Sequence, residues 1–557
     1  MTADDAEAVP SAAAIAAAES LLGIRYTNAE RELMADNLLA QTQLALRRRA
    51  VPLPATLAPA TRFDPRLPGH VPTQEDGVNL SDDAPVLPED DAVIAYAPIT
   101  HQGAWLRRGH LTAARLTDIY LARIAAVGPR LECFATVTAD AARARAAELD
   151  QMARRGQWLG PLHGIPYGMK DIIDTKGVET AWGAEPYRGQ VPTADAHVTA
   201  LLHAAGAVML GKTTVGALAY GDLWYGGRTR NPWNTEEGSS GSSAGSASAT
   251  AAGLVGFSVG TETLGSIVAP STRCGTTGLR PTFGRVSRRG AMALCPSLDK
   301  IGPICRSVED TALALDAMRG PDPLDAAQIT QPFGWDSARP VAGLRLGYVE
   351  ADFADGHEMD RAALRAAGEL GLDLVPLTRP DLPYDALVSV LFAEAAASFE
   401  ALTLSDRDDA LAWQAKEAWP NAFRKARFLS AVDHVQLDRF RTMVMQVMDT
   451  LFRGVDAVIG PSQTGPMLVI TNFTGHPCLC LPTGLQRAHT RGPLSLARAR
   501  LDLGDEKAGG EEKAGPLHDV PHTVCLWSGL FHEAPALSIG RALERRFGYA
   551  AHRPPVG

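Results

Sequence analysis

The sequence predicts an α/β fold entered through an N-terminal helical extension, and three observations carry that reading. From about Gly160, short apolar stretches alternate with helical ones, as a sheet covered by helices requires. Residues 1–50 and 111–155 instead carry helical spacing. Gly238–Ser287 embeds a Gly/Ser-rich run between core-like segments, where a flexible linker would be followed by polar sequence.

In chain order, Thr27-x-x-Glu30 reads as a capping box, with Met34, Leu38 and Ala45 at helical spacing behind it and Gln41 as the one polar break. Residues 51–91, rich in Pro and Asp, read as an extended linker or wrapping arm. Residues 1–90 thus form the extension and 91–557 the main domain. Helices are expected at Leu111–Val127 and Ala139–Arg155. Helix then strand is expected at Thr199–Ala205 and Ala207–Leu210, and again at Ala244–Gly253 and Leu254–Ser258. Later strands are expected at Val341–Val349 and Asp456–Ile459, with 351–450 mostly helical and 485–520 a polar surface loop.

Composition removes several functions. Net charge is −10 with no long basic stripe, which argues against nucleic acid. Asp4, Asp5 and Glu7 occupy the place where a signal peptide would be basic. The uncharged windows Ala457–Gln486 and Gly238–Thr261 are long enough to span a bilayer, but four prolines break the first and Gly and Ser dominate the second. Seven scattered cysteines fit a reducing, cytoplasmic setting, and Cys478-x-Cys480 reads as buried strand. No metal motif occurs, so no metal or cofactor is expected. Gly206–Thr213 matches the bare pattern GxxxxGK[ST], but its apolar middle reads as strand, whereas a phosphate cradle is a loop after a strand.

Small residues inside a core segment mean that backbones pack closely or that substrate approaches the chain. Gly241-Ser242-Ser243-Ala244-Gly245-Ser246, Gly260-Thr261-Glu262-Thr263-Leu264-Gly265-Ser266-Ile267 and Cys274–Arg285 together resemble the Gly/Ser signature of the amidase signature family. Gly160–Asp171 is similar to its lysine motif. Gly206–Thr213, Asn231-Pro232-Trp233, Asp456–Pro461 and Gly475–Gly484 match further landmarks, so the resemblance covers roughly residues 95–550. The family places its bridging serine 24 positions before its nucleophile, which selects Ser242 rather than Ser239.

The resemblance implies an α/β/α core around a large mixed sheet and a serine hydrolase cutting an amide-type C–N bond. An amide needs an activated nucleophile, a proton for the departing nitrogen and charge stabilisation. Ser266 would attack, Lys170 would be the base, and Ser242, after a cis Gly241–Ser242 bond, would relay the proton. The amides of Thr263, Leu264, Gly265 and Ser266 would form the oxyanion hole. Gly241, Ser243, Tyr220 and Trp224 are expected at the substrate, and Trp182, Tyr187 and Tyr225 lie in segments that could border the same pocket. Glu262, Leu264 and Val268 depart from the family's Asp, Gly and Arg. Since losing only that Arg would leave a buried carboxylate unpaired, Glu262 is expected to pair with Arg273.

The substrate is a small amide, aryl amide or carbamate (urethane), and a homodimer is left open. Two rivals remain in view: the glutamine-hydrolysing amidase component of a tRNA-dependent amidotransferase complex, and a catalytically dead binding protein, against which the intact Lys170, Ser242 and Ser266 argue.

Overall fold

Capping chemistry fixes the first helices. The computed structural model describes residues 9–51, 53, 57, 59–354, 356–462, 465–492 and 515–556. Helix α1 spans Ala12–Leu22 and α2 spans Asn28–Arg49. The Thr27 hydroxyl accepts from the Glu30 amide and the Glu30 carboxylate from the Thr27 amide, so the expected capping box forms. Glu19 of α1 accepts two hydrogen bonds from Arg31 of α2. The acidic residues at 4–7 lie outside the described residues.

Residues 59–90 then run along the body of the protein without a helix. The Phe63 ring lies 3.4 Å from the Arg441 guanidinium and meets Phe283 edge-on. Gly77–Asn79 forms a short parallel pair with Gly334–Asp336, and the Pro85 carbonyl accepts from Trp105 Nε1. Two helices follow that the sequence pattern does not announce, Asp91–Tyr96 and Ile99–Arg107. Pro98 separates them, and each is too short for its periodicity to stand out. Helices α3 (Ala113–Leu131) and α4 (Ala139–Arg154) fall where expected.

The core is one 11-stranded mixed sheet. In chain order its strands are β1 (Phe134–Val137), β2 (Pro166–Lys170), β3 (Val208–Thr213), β4 (Phe257–Glu262), β5 (Thr277–Arg280) and β6 (Lys300–Cys305). They continue with β7 (Arg345–Tyr348), β8 (Asp373–Pro376), β9 (Ala457–Pro461), β10 (Cys478–Ala488) and β11 (His518–Ser528). Their order across the sheet is β8-β7-β9-β11-β10-β5-β6-β4-β2-β3-β1. Helices α5 (Ala244–Ala251), α6 (Val268–Cys274), α7 (Val388–Ser398) and α8 (Ala431–Phe452) complete the parts that bear on the site. This is the α/β/α core around a large mixed sheet that the resemblance implies.

Two expectations shift. The strand expected at Leu254–Ser258 begins at Phe257, because Leu254–Gly256 makes the turn out of α5, with Leu254 N donating to Ala249 O and Gly256 N to Pro166 O. The edges of the expected loop 485–520 are strand: Leu485 to Ala488 of β10 pair with Pro521 to His518 of β11. Their polarity reads as loop, but each main chain supplies the other's hydrogen bonds. Residues 493–514 lie outside the described residues. The segment matching GxxxxGK[ST] is β3 itself, and its Lys212 is buried, donating to Ile173 O and Thr180 Oγ1. All seven cysteines are free and buried.

Helix α5 explains the Gly/Ser run. All eight of its residues are buried, and it packs on β2, β3, β4 and β6. A Cβ at Gly245 would lie 2.2 Å from Cys133 O and 2.4 Å from Thr214 N, so only a hydrogen fits there. Helix propensity alone would favour Gly245→Ala by about 0.5–1 kcal/mol. The clash with two backbone atoms outweighs it, and urea unfolding should show Gly245→Ala destabilised by roughly 1–3 kcal/mol.

Candidate active site

Strand pairing assembles the site. β2 and β4 are parallel neighbours, with Gly168 opposite Ser258 and Met169 opposite Val259. Their C-terminal ends therefore emerge together: Lys170 closes β2, and the turn 263–267 follows β4. The lead-in to α5 brings Ser242 and Ser243 between them. Lys170 is fully buried. Its Nζ lies 2.8 Å from Ser242 Oγ, 3.0 Å from Ser243 Oγ, 2.7 Å from Thr261 Oγ1 and 3.3 Å from Thr261 O. Among the described residues, no carboxylate oxygen is one of its hydrogen-bond partners. Burial holds its pKa well below the ordinary lysine value, against the opposing charges of Asp299 and Glu262.

The Gly241–Ser242 peptide bond is cis. The Ser243 amide donates to the Ser266 carbonyl at 3.1 Å, tying the two serine segments together. Ser266 is 7% exposed, and its hydroxyl has no hydrogen-bond partner among the described residues. Nor do the amides of Thr263, Leu264, Gly265 and Ser266. Gly265, inside this turn, has φ +84°, the left-handed region that glycine adopts without steric cost.

Glu262 anchors that turn. Its Oε2 accepts from the amides of Ile267 and Val268 at 2.8 and 3.0 Å. Its Oε1 accepts from Arg280 Nη1 at 2.7 Å and from Asn472 Nδ2 at 2.9 Å. The expected Glu262–Arg273 pair is therefore wrong. Arg273 instead pairs with Glu237 at 3.2 Å and donates to Gly492 O. Arg280 wins because it lies on β5, where it reaches Glu262 across the intervening β6, and its other nitrogen donates to Thr471 Oγ1 and His476 O. Burial pushes the Glu262 carboxyl up, and the Arg280 guanidinium more than reverses this, holding it at about 2.

The residues expected at the substrate divide. The Ser243 hydroxyl is spent inward, near Lys170 and donating to Thr261 O at 3.0 Å while accepting from the Thr261 amide at 3.1 Å. It is buried and orients the lysine. Gly241 abuts the Gly221 carbonyl, 1.8 Å from where its Cβ would be, so it faces backbone rather than open space. Trp224 is buried and meets Tyr225 edge-on, while Trp182 packs on Tyr187. Half-buried Tyr220 sits 5.1 Å from both Trp413 and Trp419 by ring centroids, one residue from the Gly221 that touches Gly241. Sequence reasoning missed Thr261, Trp413 and Asp299. Thr261 could have been found, since it belongs to the signature and alternates with Gly260 along β4. Trp413 lies 128 residues beyond Arg285, the last residue of the signature, and carried no such signal.

A buried lysine against a hydroxyl, a second serine at a turn of free amides and a mixed sheet are the arrangement that the resemblance to the amidase signature family implies. The Amidase family model matches residues 115–479, and the chain belongs to that family, whose members act on C–N bonds. It is 41% identical over 304 residues to the glutamyl-tRNA(Gln) amidotransferase A subunit of Roseiflexus sp. (strain RS-1), a match covering 53% of this chain and 62% of the relative. It is 32% identical over 485 residues to the corresponding amidotransferase A subunit of Anaeromyxobacter dehalogenans (strain 2CP-C), covering 80% of this chain and 95% of the relative. Among solved structures, the peptide amidase of Stenotrophomonas maltophilia superposes with TM-score 0.67 at 27% identity, covering 82% of this chain and 98% of that one. A bacterial aryl acylamidase shares the fold, with TM-score 0.66 at 21% identity, 82% of this chain and 99% of that one. Among the described residues no helix is long and apolar enough to cross a membrane.

Removing one partner of a buried ion pair costs about 3–5 kcal/mol. Arg280→Met should therefore lower unfolding free energy by that order, and Glu262→Gln added to it should recover part of the loss. Glu262's folded pKa is depressed, so its contribution is full above the ordinary glutamate pKa and is lost as pH falls from about 4.5 toward about 2. Urea unfolding at several pH values should show that acid loss in the wild type and a smaller one in the double variant.

Proposed function

We propose that the protein hydrolyses an amide-type C–N bond through an acyl-enzyme on Ser266, with Lys170 as base and Ser242 as relay. The observation that carries this is the 2.8 Å contact of a fully buried Lys170 Nζ with Ser242 Oγ, in a shell of hydroxyls and a carbonyl. A neutral amine there can take a proton from Ser242 as Ser242 takes one from Ser266. Ser266 Oγ then bonds to the substrate carbonyl carbon, and the amides of Thr263 to Ser266 receive the oxyanion. On collapse, Lys170 returns the proton through Ser242 to the leaving nitrogen, the C–N bond breaks, and water repeats the sequence on the ester. The scheme draws on no metal or cofactor.

Similarity to the amidotransferase A subunits supports glutamine as the amide and partner subunits as receivers of its ammonia. A stand-alone amidase for aryl amides or carbamates is the second reading. The Tyr220, Trp413 and Trp419 cluster, next in the chain to the Gly221 that meets Gly241, favours it, because grouped aromatic rings suit a flat apolar group. A cytoplasmic setting fits the seven free cysteines. Hydrolysis assayed across glutamine, aryl amides and carbamates separates the readings, together with a search for co-purifying subunits.

Ser266→Ala, Lys170→Ala and Lys170→Arg should each lose at least about 10³-fold in turnover, the arginine because guanidinium stays protonated. Ser242→Ala should lose far more activity than Ser239→Ala, whose hydroxyl donates to Ser240 O. Because the base must be neutral, wild-type activity should rise with pH through the depressed pKa of Lys170. Turnover by Lys170→Arg near the wild-type rate would remove Lys170 from the mechanism.

A further inference from the structure

Both ends of the oxyanion turn are fastened by carboxylates. Glu262 holds the amides just past its end. Its first residue, Thr263, donates its hydroxyl to Asp299 Oδ1 at 2.6 Å. The second oxygen of Asp299 accepts from the amides of Leu294 and Cys295 at 2.9 and 3.0 Å. Asp299 thus closes the turn 294–299 on itself and extends one oxygen to Thr263.

That turn is in turn clamped to the helical layer. Glu394 of α7 accepts from the Ser297 amide at 2.9 Å and from its hydroxyl at 2.5 Å. Arg441 of α8 donates to the Ser297 hydroxyl at 2.9 Å and to its carbonyl at 2.8 Å. The Phe63 ring of the N-terminal arm lies 3.4 Å from the same guanidinium. A continuous path of hydrogen bonds therefore runs from the helices through the turn 294–299 and Asp299 to the side chain of Thr263.

We propose that Asp299 is a positioning residue for the reaction, aiming the amides of Thr263 to Ser266 by its grip on the Thr263 hydroxyl. This rests on the acyl-enzyme reading above. Position matters because an oxyanion donor works only where it meets the developing charge at hydrogen-bond distance.

The charge of Asp299 also bears on Lys170. Asp299 and Glu262 are the two anions that favour the lysine's ammonium form. Around Asp299 itself stand Arg288, the next residue Lys300, and Glu262 across the β4–β6 ladder, with Cys295, Glu394 and Arg441 behind. Removing the Asp299 charge makes the ammonium less favourable, so the lysine is neutral at lower pH.

The test reads Ser266 directly with a fluorophosphonate. Ser266 Oγ forms a bond to phosphorus, the P–F bond breaks, fluoride leaves, and the serine proton passes to the base. Labelling of the Ser266 peptide is followed by mass spectrometry as a rate against pH, beside thermal melting. Thr263→Val removes the tether and keeps the backbone amide. It should slow labelling roughly 10-fold, less than the ~10²–10³ of losing a donor outright, with a smaller shift of the acid limb than Asp299→Asn gives and at most a modest fall in melting temperature. Asp299→Asn should slow labelling and move the acid limb to lower pH. If Asp299→Asn does not fold, Thr263→Val carries the test alone. Labelling of both variants at the wild-type rate would overturn the proposal. So would a fall in melting temperature with rates unchanged per folded molecule, the mark of a merely structural contact. A wild type that fails to label at Ser266 would sink the acyl-enzyme reading itself, and the inference with it.

Discussion

A lysine amine buried among hydroxyls is the constraint on which the rest of the structure depends. Burial disfavours the ammonium, and by up to several pKa units at full burial. A carboxylate in contact would restore the charge and abolish the base. The two nearest anions, Glu262 and Asp299, are accordingly kept one step away, and each is occupied elsewhere. Glu262 is taken up by Arg280, Asn472 and two amides, and Asp299 by Thr263 and two amides. Both carboxylates thereby hold the turn that carries Ser266. In the proposed mechanism, the group that must stay neutral and the turn that must stay still are thus served by the same two acids.

Close packing follows from the same demand. Excluding water from Lys170 needs a helix pressed onto the sheet, which only the small side chains of α5 permit. The Gly/Ser run therefore reads as a linker by composition and as core by context, and the context was visible in the apolar strand that follows it. Ser242 rather than Ser239 meets Lys170, and the spacing to Ser266 that selected it is a property of the chain alone. What the sequence did not carry was cross-strand geometry. Arg273 looked a fair partner for Glu262 by chain distance, but sheet order puts Arg280 within reach across β6 and turns Arg273 toward Glu237. Ser243 and Gly241 face protein atoms rather than open space for a related reason. Neighbours of a buried turn face inward as readily as outward, and a motif does not say which.

The extension was legible as helix followed by arm, but not for what it touches. Phe63, outside the span matched by the family, stacks on Arg441, and Arg441 grips Ser297 two residues from Asp299. The arm is therefore continuous with the frame that holds the turn 263–267. The short helices at 91–107 escaped notice because a proline divides a segment that would otherwise show a helical period.

The proposed mechanism requires Lys170 to be neutral in the folded protein at working pH. The direct measurement is an NMR titration of protein carrying ¹³Cε-labelled lysine, with the Lys170 signal assigned by its absence from Lys170→Ala. This signal should titrate well below the ordinary lysine pKa of about 10.4, apart from the surface lysines. Titration of Lys170 together with them, near 10.4, would contradict it.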